Sequence, residues 1–477
     1  MKIKSLLSLT LAALLTVGAL AGCGEKGGGN SVEDNKKKFA DALEVTDADG
    51  VSGDILSIQQ PSRNLDTKEL NVYTWLDEDS MFTGSEDKPN VWDILKDQYG
   101  IKINVNTVSQ TDYWKNLSTL IASNSSPDVV LIPNWNYYPT AITNGCLQPL
   151  DGIINFDKPL WENGKETREK YKWTDGKTYF AFNNKGTIQK YIFFNKKIFA
   201  DAGLKNPYEY YKEGNWTYET FKELCSKTYK TEGDKVTQYA IYMQPDVFMA
   251  SAGVEVVEVD KENGYKLNLR DEKIAKCMNL LSELGNGGLK VLGGQPSDFR
   301  QQRMAMILTD YWCATSEFNK IRKAGNLGMV PLPAVDKNSS CYNSVSISTG
   351  YGLVKGAKNI NCAALLMELD AWISLSNDNS GIPTRFDYNT PYFKKYTKAE
   401  SVDKTNSEKV FTDEEKQLMA EMGLEKNPGI SFMWQSWLNG VGSLGSLEVT
   451  DYAQPWSQVL EQLYPKCEKI LKGYFED

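Results

Sequence analysis

Histidine is absent from all 477 residues of this chain. The absence excludes Ser-His-Asp and Cys-His catalysis, because both mechanisms need an imidazole as the general base. It also excludes the histidine-containing clusters with which many metal-binding proteins capture zinc. Chemistry that depends on paired carboxylates, such as glycoside hydrolysis, remains open.

Cysteine is scarce and poorly spaced for cross-linking. Of the eight cysteines, Cys23 lies near the N-terminus, and the other seven contain no CxxC pair. An odd number without close pairs predicts neither a disulfide framework nor a zinc site, so we expect no metal or cofactor. We expect most of the seven to be buried thiols, which pack as small apolar groups. They are Cys146, Cys225, Cys277, Cys313, Cys341, Cys362 and Cys467.

A surplus of positive charge is also missing. The net charge is −9, which argues against a nucleic-acid partner because such a partner requires a basic surface. Aromatic residues are abundant instead, at 11% of the chain with 12 Trp and 25 Tyr. Indole faces stack on the CH groups of sugar rings, although most of these side chains are expected to be buried in the core.

The N-terminus carries the most specific motif. Lys2 and Lys4 precede an apolar run from Leu6 to Leu20, which is short for a membrane span of ~20 residues. The run ends in Leu-Ala-Gly-Cys, with the cysteine at position 23. This pattern is typical of a secretory signal (residues 1–22) with a lipobox, and it predicts cleavage before Cys23 and a lipid on its thiol. An ordinary signal peptide followed by a coincidental cysteine is the alternative.

Residues 23–66 are predicted to be a tether. The stretch after Cys23 is rich in glycine and charge and has no apolar periodicity, as in flexible linkers. About 410 residues follow, which is more than one hydrophobic core usually organises, so we expect two or more domains.

Strand and helix patterns alternate through the folded region. The first part predicts a parallel, doubly wound α/β sheet, in which ligands lie beyond the carboxyl ends of the strands. Its predicted elements are strand 69–76, helix 91–99, strand 101–108, helix 113–122 and strand 128–132. The later predicted elements are strand 190–194, helices 197–202 and 218–230, strand 239–243, helices 274–284 and 299–305, strands 306–308 and 346–354, and an amphipathic helix 361–375.

Eight short motifs occur in an order that resembles the family 1 extracellular solute-binding proteins, which include maltose- and oligosaccharide-binding proteins. The resemblance covers residues 68–475, with a Tyr-rich insert at 207–215 as its main departure. The motifs are Asn71–Trp75, Ser126–Val130, Asn144–Leu150, Phe194–Phe199 with Ala202–Leu204, Trp216–Phe221, Ala305–Trp312, Gly328–Pro333 and Gly350–Lys358.

The resemblance implies a two-lobed, periplasmic-binding-protein-like clamp that closes on its ligand by a hinge. Each lobe is expected to be a mostly parallel sheet flanked by helices, with crossing strands between the lobes. The expected N-terminal lobe is 67–183 plus 341–385, and the expected C-terminal lobe is 184–340 plus 386–477. The expected partners are a carbohydrate ligand, the permease subunits of an ABC importer, and the membrane through a lipid anchor. A monomer on the extracellular face of a Gram-positive cell is expected.

Candidate ligand residues follow predicted strands. Trp75 ends the first strand and is followed by Asp77 and Glu78, so an indole for a sugar ring stands beside carboxylates for its hydroxyls. The alternative is that Trp75 belongs to the core and the acids to a solvated loop or a helix cap. Trp135 and Asn136 follow the strand at 128–132, with Tyr137 and Tyr138 as alternatives.

Further candidates come from both expected lobes. Asp310 and Trp312 follow the strand at 306–308, and members of the resembled family commonly place an aromatic residue there. Tyr351 lies between two glycines that let a ligand approach the backbone. Weaker candidates are Asn183, Gln244, Arg385, Trp434 and Trp437, the last two of which have the spacing of a helical core stripe.

The sequence therefore predicts capture of a mono- or oligosaccharide without catalysis. Alternatives with the same fold are a receptor for a peptide, polyamine or organophosphate, and a sensory receptor. A surface glycoside hydrolase, with Asp77 and Asp310 as its acid and base, is the alternative from another functional class.

Overall fold

The structure is a computed structural model, and its chain divides into two compact units. Unit 1 holds the described residues up to 132, then 138–183 and 350–375; unit 2 holds 187–346 and the described residues from 418 onward. The described residues are 60–65, 67–81, 91–132, 138–183, 187–286, 288–346, 350–375, 418–424, 426–431, 437–438, 441 and 443–475. Within these ranges, no helix is both long enough and apolar enough to cross a membrane.

Unit 1 is built on a sheet of order β12-β3-β1-β2. Strand β1 runs parallel to both β2 and β3, and β12 is antiparallel to β3, which confirms the predicted β-α-β-α-β sheet. Numbered along the whole chain, the strands are β1 (Glu69–Thr74), β2 (Lys102–Thr107), β3 (Val129–Leu131) and β12 (Tyr351–Leu353). The helices are α1 (Glu78–Met81), α2 (Val91–Asp97), α3 (Tyr113–Ala122), α4 (Thr140–Thr143), α5 (Lys165–Lys170) and α13 (Ile360–Leu375).

Helix α13 is buried on every side, so the prediction of an amphipathic helix was wrong. All side chains from Cys362 to Leu369 are buried, including the carboxylate of Glu368. The lead-in residue Arg63 covers that carboxylate, with its Nε and Nη2 donating at 2.7 and 2.8 Å. Arg63 is itself buried, so the fold of unit 1 begins before the predicted tether boundary at residue 66.

Asp128, in the Pro-Asp-Val-Val motif, joins the start of β3 to its neighbours. Its buried carboxylate accepts five hydrogen bonds of 2.8 to 2.9 Å. Two come from Asn71 on β1, and three come from Lys358 and Asn359 just before α13. A fully bonded carboxylate can be buried without an ion pair, so this motif residue has a structural role.

Unit 2 contains a mixed sheet of order β13-β11-β4-β9-β6-β5, with β10 also paired to β4. Its strands are β4 (Thr187–Asn195), β5 (Lys230–Glu232), β6 (Lys235–Tyr242), β9 (Met304–Asp310), β10 (Leu327–Val330), β11 (Asn343–Ser346) and β13 (Gly429–Ser431); β7 (Val257–Asp260) and β8 (Gly264–Leu267) form a separate hairpin. Its helices are α6 (Lys196–Asp201), α7 (Pro207–Lys212), α8 (Tyr218–Thr228), α9 (Pro245–Phe248), α10 (Glu272–Leu284), α11 (Pro296–Arg300), α12 (Asn319–Lys323), α14 (Ser446–Thr450) and α15 (Trp456–Lys472).

Several predictions for unit 2 need correction. The sheet is mixed rather than mostly parallel, because β4 is antiparallel to β9, β10 and β11. Residues 341–346 fall in unit 2 rather than in the N-terminal lobe, because β11 pairs with β4 and β13. The predicted helix 299–305 ends at Arg300, since Gln302 adopts a left-handed φ of 58° and Met304 already pairs with β6.

The Tyr-rich insert forms α7 and fastens a distant segment within unit 2. The hydroxyl groups of Tyr208 and Tyr211 donate to the Glu421 carboxylate and backbone carbonyl, at 3.0 and 3.1 Å. The Asn427 side chain donates to the Tyr211 hydroxyl at 3.0 Å. The insert therefore holds Glu421 and Asn427 in place.

The cysteines agree with the sequence prediction. All seven beyond Cys23 are free thiols, and all of them except Cys341 are buried. Burial raises the pKa of the Cys277 and Cys467 thiols to about 11, which keeps both protonated at neutral pH.

Candidate functional site

The first candidate residues lie where β1 ends in unit 1. Because β1, β2 and β3 are parallel, their carboxyl ends meet at one edge of the sheet. Trp75 is partly exposed at this edge, and Asp77 and Glu78 are exposed. The Thr107 hydroxyl at the end of β2 donates to the Leu76 carbonyl at 2.9 Å, which ties this turn to the neighbouring strand.

A buried tyrosine pair supports Trp75. Its indole meets the ring of Tyr113 edge-on, with centroids 6.0 Å apart. The Tyr113 hydroxyl lies 2.8 Å from the Leu131 carbonyl and 3.1 Å from the Tyr73 carbonyl, so it bridges the ends of β1 and β3. The Tyr73 hydroxyl donates to the Tyr113 carbonyl at 2.6 Å. Burial raises the pKa of both phenols well above the ordinary value, so both remain neutral hydrogen-bond donors.

The candidates after β3 divide into two groups. Trp135, Asn136 and the alternative Tyr137 lie outside the described residues. Tyr138 is fully buried and packs against the rings of Tyr171, Trp173 and Phe180. Tyr138 is therefore part of the unit 1 core.

Tyr351 lies in the unit 1 core rather than at an exposed edge. It is 8% exposed and packs edge-on against Trp92, at 6.2 Å between ring centroids. Its hydroxyl is hydrogen-bonded to Asp370, which also accepts from the side chain of Asn183, one of the weaker candidates. Burial raises the pKa of Asp370 to about 7, against the effect of the hydrogen bonds from Asn183 and Tyr351. As a ligand contact, Tyr351 stays a prediction.

A charged group lies at the strand ends of unit 2. Strands β6 and β9 are parallel, and Lys190 on β4 is paired with Asp310 at the end of β9. The Lys190 ammonium donates to the Asp310 carboxylate at 3.1 Å, and the two side chains are 16% and 32% exposed. Asp246 follows β6, and burial raises the pKa of its carboxyl while the charge of Lys190 lowers it. This arrangement places one cation in the field of two acids, all of them suited to bind hydroxyl groups.

The remaining candidate ligand residues differ in exposure, and some lie outside the described part of the structure. Trp312 lies in the turn Tyr311–Ala314 directly after β9, and its side chain is outside the described part of the structure. Gln244 is exposed just before α9. Trp437 is 1% exposed and stacks on Phe475, as expected of a core residue. Arg385 and Trp434 lie outside the described residues.

Sequence reasoning missed Lys190, Asp246 and Tyr113. The antiparallel pairing of β4 with β9, which places Lys190 beside Asp310, joins residues 120 positions apart and leaves no local pattern. Asp246 could have been found by the rule that identified Asp310, since it also follows a predicted strand. The pairing of Asp77 with Asp310 as acid and base joins residues of different units and stays a prediction. Among the described residues, no group of His, Cys, Asp and Glu could hold a metal ion.

Comparison with known proteins agrees with this architecture. The family model of bacterial extracellular solute-binding proteins matches residues 84–369, which is more than half of the chain. A diacetylchitobiose-binding protein of Streptomyces coelicolor is 28% identical over 290 residues, covering 58% of this chain and 54% of that protein. The chain thus spans about half the length of this curated relative.

Solved structures with the same fold share little sequence with this chain. An extracellular solute-binding protein of Staphylococcus aureus in complex with maltose has a TM-score of 0.57 at 16% identity, covering 85% of this chain and 98% of that one. An ABC substrate-binding protein of Listeria monocytogenes in complex with cycloalternan has a TM-score of 0.55 at 16% identity, with the same coverage. The likeness establishes the two-lobed α/β fold of periplasmic binding proteins.

Proposed function

The chain belongs to the bacterial extracellular solute-binding proteins, and from that premise we propose that it captures a carbohydrate outside the cell and delivers it to an ABC importer. The observation that carries the proposal is the partly exposed Trp75 indole, held by Tyr113 at the edge where Asp77 is exposed. Sugars are bound by stacking on aromatic faces and by hydrogen bonds from hydroxyl groups to charged side chains.

Unit 2 contributes a second set of ligand groups under this proposal. Asp310 and Asp246 would accept hydrogen bonds from hydroxyl groups, and Lys190 would donate to hydroxyl or ring oxygen atoms. Because Lys190 and Asp310 already bond to each other, both are oriented before a ligand arrives. Pre-orientation reduces the side-chain entropy that is lost on binding.

The ligand class is tested by thermal unfolding of the purified full chain with a panel of solutes. Chito-oligosaccharides and maltodextrins come first, because one similar protein is named for binding diacetylchitobiose and another has a solved structure in complex with maltose. Peptides and polyamines complete the panel. A ligand at 100 times its dissociation constant, bound only by the folded state, adds about 2.7 kcal/mol to stability. We expect a clear upward shift with one carbohydrate class and with no peptide or polyamine.

A matched pair of variants locates the binding residue. Trp75→Leu should abolish most of the ligand-induced shift, whereas Trp173→Leu, which also changes a partly exposed tryptophan of unit 1, should retain it. Chromatography of the carbohydrate after incubation should recover it unchanged, as expected of a receptor. A shift only with a peptide or polyamine would contradict the carbohydrate assignment, and a cleaved carbohydrate would contradict the receptor assignment.

Lipid anchoring and the importer partnership belong to the same proposal. A lipid on Cys23 would hold the protein, as a monomer, at the outer face of the membrane beside permease subunits. In cells given a clickable palmitate analogue, the wild-type chain should carry the label and sediment with membranes. The Cys23→Ser variant should do neither. Equal labelling of both chains would contradict the anchor.

A further inference from the structure

One stretch of unit 1 ends at residue 185 and the next begins at residue 349, so the chain passes to unit 2 and returns at these two points. The last described residues before the first point are 180–183, which we call the exit segment. The first described residues after the second point are 350–352, which we call the return segment. The contacts of these two segments decide where both connections leave unit 1.

The exit and return segments lie side by side in unit 1. Phe180 and Gly352 form an antiparallel bridge, and the backbone N–H of Ala181 donates to the Tyr351 carbonyl at 2.9 Å. The backbone therefore joins the two segments directly, and a shift of one would displace the other.

Asp370, near the end of α13, bonds to both segments through their side chains. Its carboxylate accepts a hydrogen bond from the side chain of Asn183 in the exit segment, and it is hydrogen-bonded to the Tyr351 hydroxyl in the return segment. Asn183 is 5% exposed and Tyr351 is 8% exposed. A buried polar group that loses a partner costs free energy, so removing this carboxylate would disturb both segments at once.

Helix α13 gives Asp370 a fixed position. All of its side chains from Cys362 to Leu369 are buried, and Arg63 donates to the Glu368 carboxylate at 2.7 and 2.8 Å. Closely packed side chains transmit a displacement rather than absorb it. Asp370 therefore ties the exit and return segments to the core of unit 1.

Unit 2 receives both connections in one sheet. Thr187 at the start of β4 is paired with Ser346 at the end of β11. Strand β4 also carries Lys190, which belongs to the ligand group proposed in unit 2. A ligand that contacts both units, as proposed above, selects the arrangement in which these connections bring its contacts within reach.

Resting on the proposed carbohydrate capture, we infer that Asp370 is a positioning residue for the ligand, because its carboxylate fixes the points at which two connections leave unit 1. It acts through Asn183 and Tyr351. Asp370 raises the fraction of molecules that are competent to bind, and the apparent affinity is proportional to that fraction. If its loss leaves about one molecule in ten competent, the dissociation constant rises about tenfold.

The purified full chain is titrated calorimetrically with diacetylchitobiose and with maltotriose. Asp370→Ala should weaken each sugar that the wild type binds by the same factor of about ten, because the competent fraction is a property of the protein alone. Asp370→Asn keeps one carbonyl oxygen as an acceptor and should retain most of the affinity. Thr67→Ala is the matched control, since it removes a partly buried hydrogen bond of 2.7 Å to Asn359, just before the start of α13, and should leave the affinity unchanged.

Hydrogen exchange of the ligand-free chain measures the anchoring by itself. Asp370→Ala should speed the exchange of backbone N–H groups in both the exit and the return segment, and it should leave β1 unchanged. Thr67→Ala should not affect either segment. Asp370→Ser, which also removes both carboxylate oxygens, is measured in the same way, so that the outcome does not depend on the folding of one variant.

Three results are decisive. Asp370→Ala with wild-type affinity, or with unchanged exchange in both segments, would overturn the positioning role. A loss of affinity confined to one of two bound sugars would also overturn it, because that result indicates a direct contact. A wild-type chain that binds neither sugar would instead contradict the proposed capture of these sugars, while the exchange measurement would still decide whether Asp370 anchors the two segments.

Discussion

Replacing Asp128 by asparagine keeps the size of the side chain but removes acceptors that the fold of unit 1 uses. One carboxylate oxygen accepts from the backbone N–H groups of Lys358 and Asn359, and the other accepts from the N–H groups of Asn71 and from the Asn359 side chain. In an asparagine, an –NH₂ group replaces one of these two oxygen atoms. It would face the two donors of the first oxygen in one orientation of the amide, and the three donors of the second oxygen in the other.

The expected loss follows from that count. In the more favourable orientation the buried N–H of Asn359 and the partly buried N–H of Lys358 lose their acceptor. A buried unsatisfied donor costs about 1–3 kcal/mol, so Asp128→Asn should destabilise unit 1 by at least about 1–3 kcal/mol. The control is Asp157→Asn, an exposed aspartate of the same unit, for which we expect a change within about 0.5 kcal/mol.

Guanidinium unfolding, followed by circular dichroism and tryptophan fluorescence, measures the effect. A chain of two units need not unfold in one step, so each transition is fitted by itself. We expect Asp128→Asn to shift one transition and to leave the other unchanged. A loss below about 0.5 kcal/mol would refute the structural role assigned to this motif residue.

Two further predictions concern the contact between α10 and α14 and the carboxyl group of Asp370. In Gly285→Ala the new Cβ would lie 2.5 Å from the Thr450 carbonyl oxygen, so the contact between α10 and α14 must open. The variant should therefore melt at a lower temperature than the wild type. An unchanged melting temperature would contradict the contact. Asp370 has a folded-state pKa of about 7, raised above its ordinary 3.8, so its burial costs stability that grows as the pH rises from about 4 to about 7. Asp370→Asn removes that titration. The melting temperature of the variant minus that of the wild type should therefore increase as the pH rises through this range. A difference that does not change with pH would contradict the raised pKa.

The local sequence pattern correctly predicted those helices and strands whose packing partners are close in sequence. Helix α3 spans 113–122 as predicted, because its apolar spacing lets it cover the sheet next to it. The parallel order of β1, β2 and β3 followed from the same alternation of elements. In each case the information lies within one βα unit.

Prediction failed where distant segments decide the environment. Helix α13 was expected to have a polar face, but Arg63 covers Glu368 from 305 positions away. The strand β11 was assigned to the wrong lobe because its partners, β4 and β13, are far apart in the chain. A residue's type does not reveal such contacts, since they depend on how the completed units pack.

The candidate ligand residues also differ in how well the sequence predicted their surroundings. Trp75, Asp77 and Asp310 were predicted as ligand residues because each follows a predicted strand. The structure places all three at strand ends, and their part in ligand binding stays a prediction. Tyr351 was also predicted on a strand, and the structure packs it in the core with its hydroxyl bonded to Asp370, so its role as a ligand contact stays a prediction. A side chain's direction at the start of a strand is set by the register with β3, which the sequence does not specify.

Calorimetric titration of the full chain, with the carbohydrate that produces the largest thermal shift, tests the proposed binding residues. We expect a loss of at least tenfold in affinity for Trp75→Leu in unit 1 and for Asp310→Asn in unit 2, and an unchanged affinity for Trp173→Leu. Undiminished affinity in both Trp75→Leu and Asp310→Asn would contradict the claim that the strand ends of the two units bind the ligand.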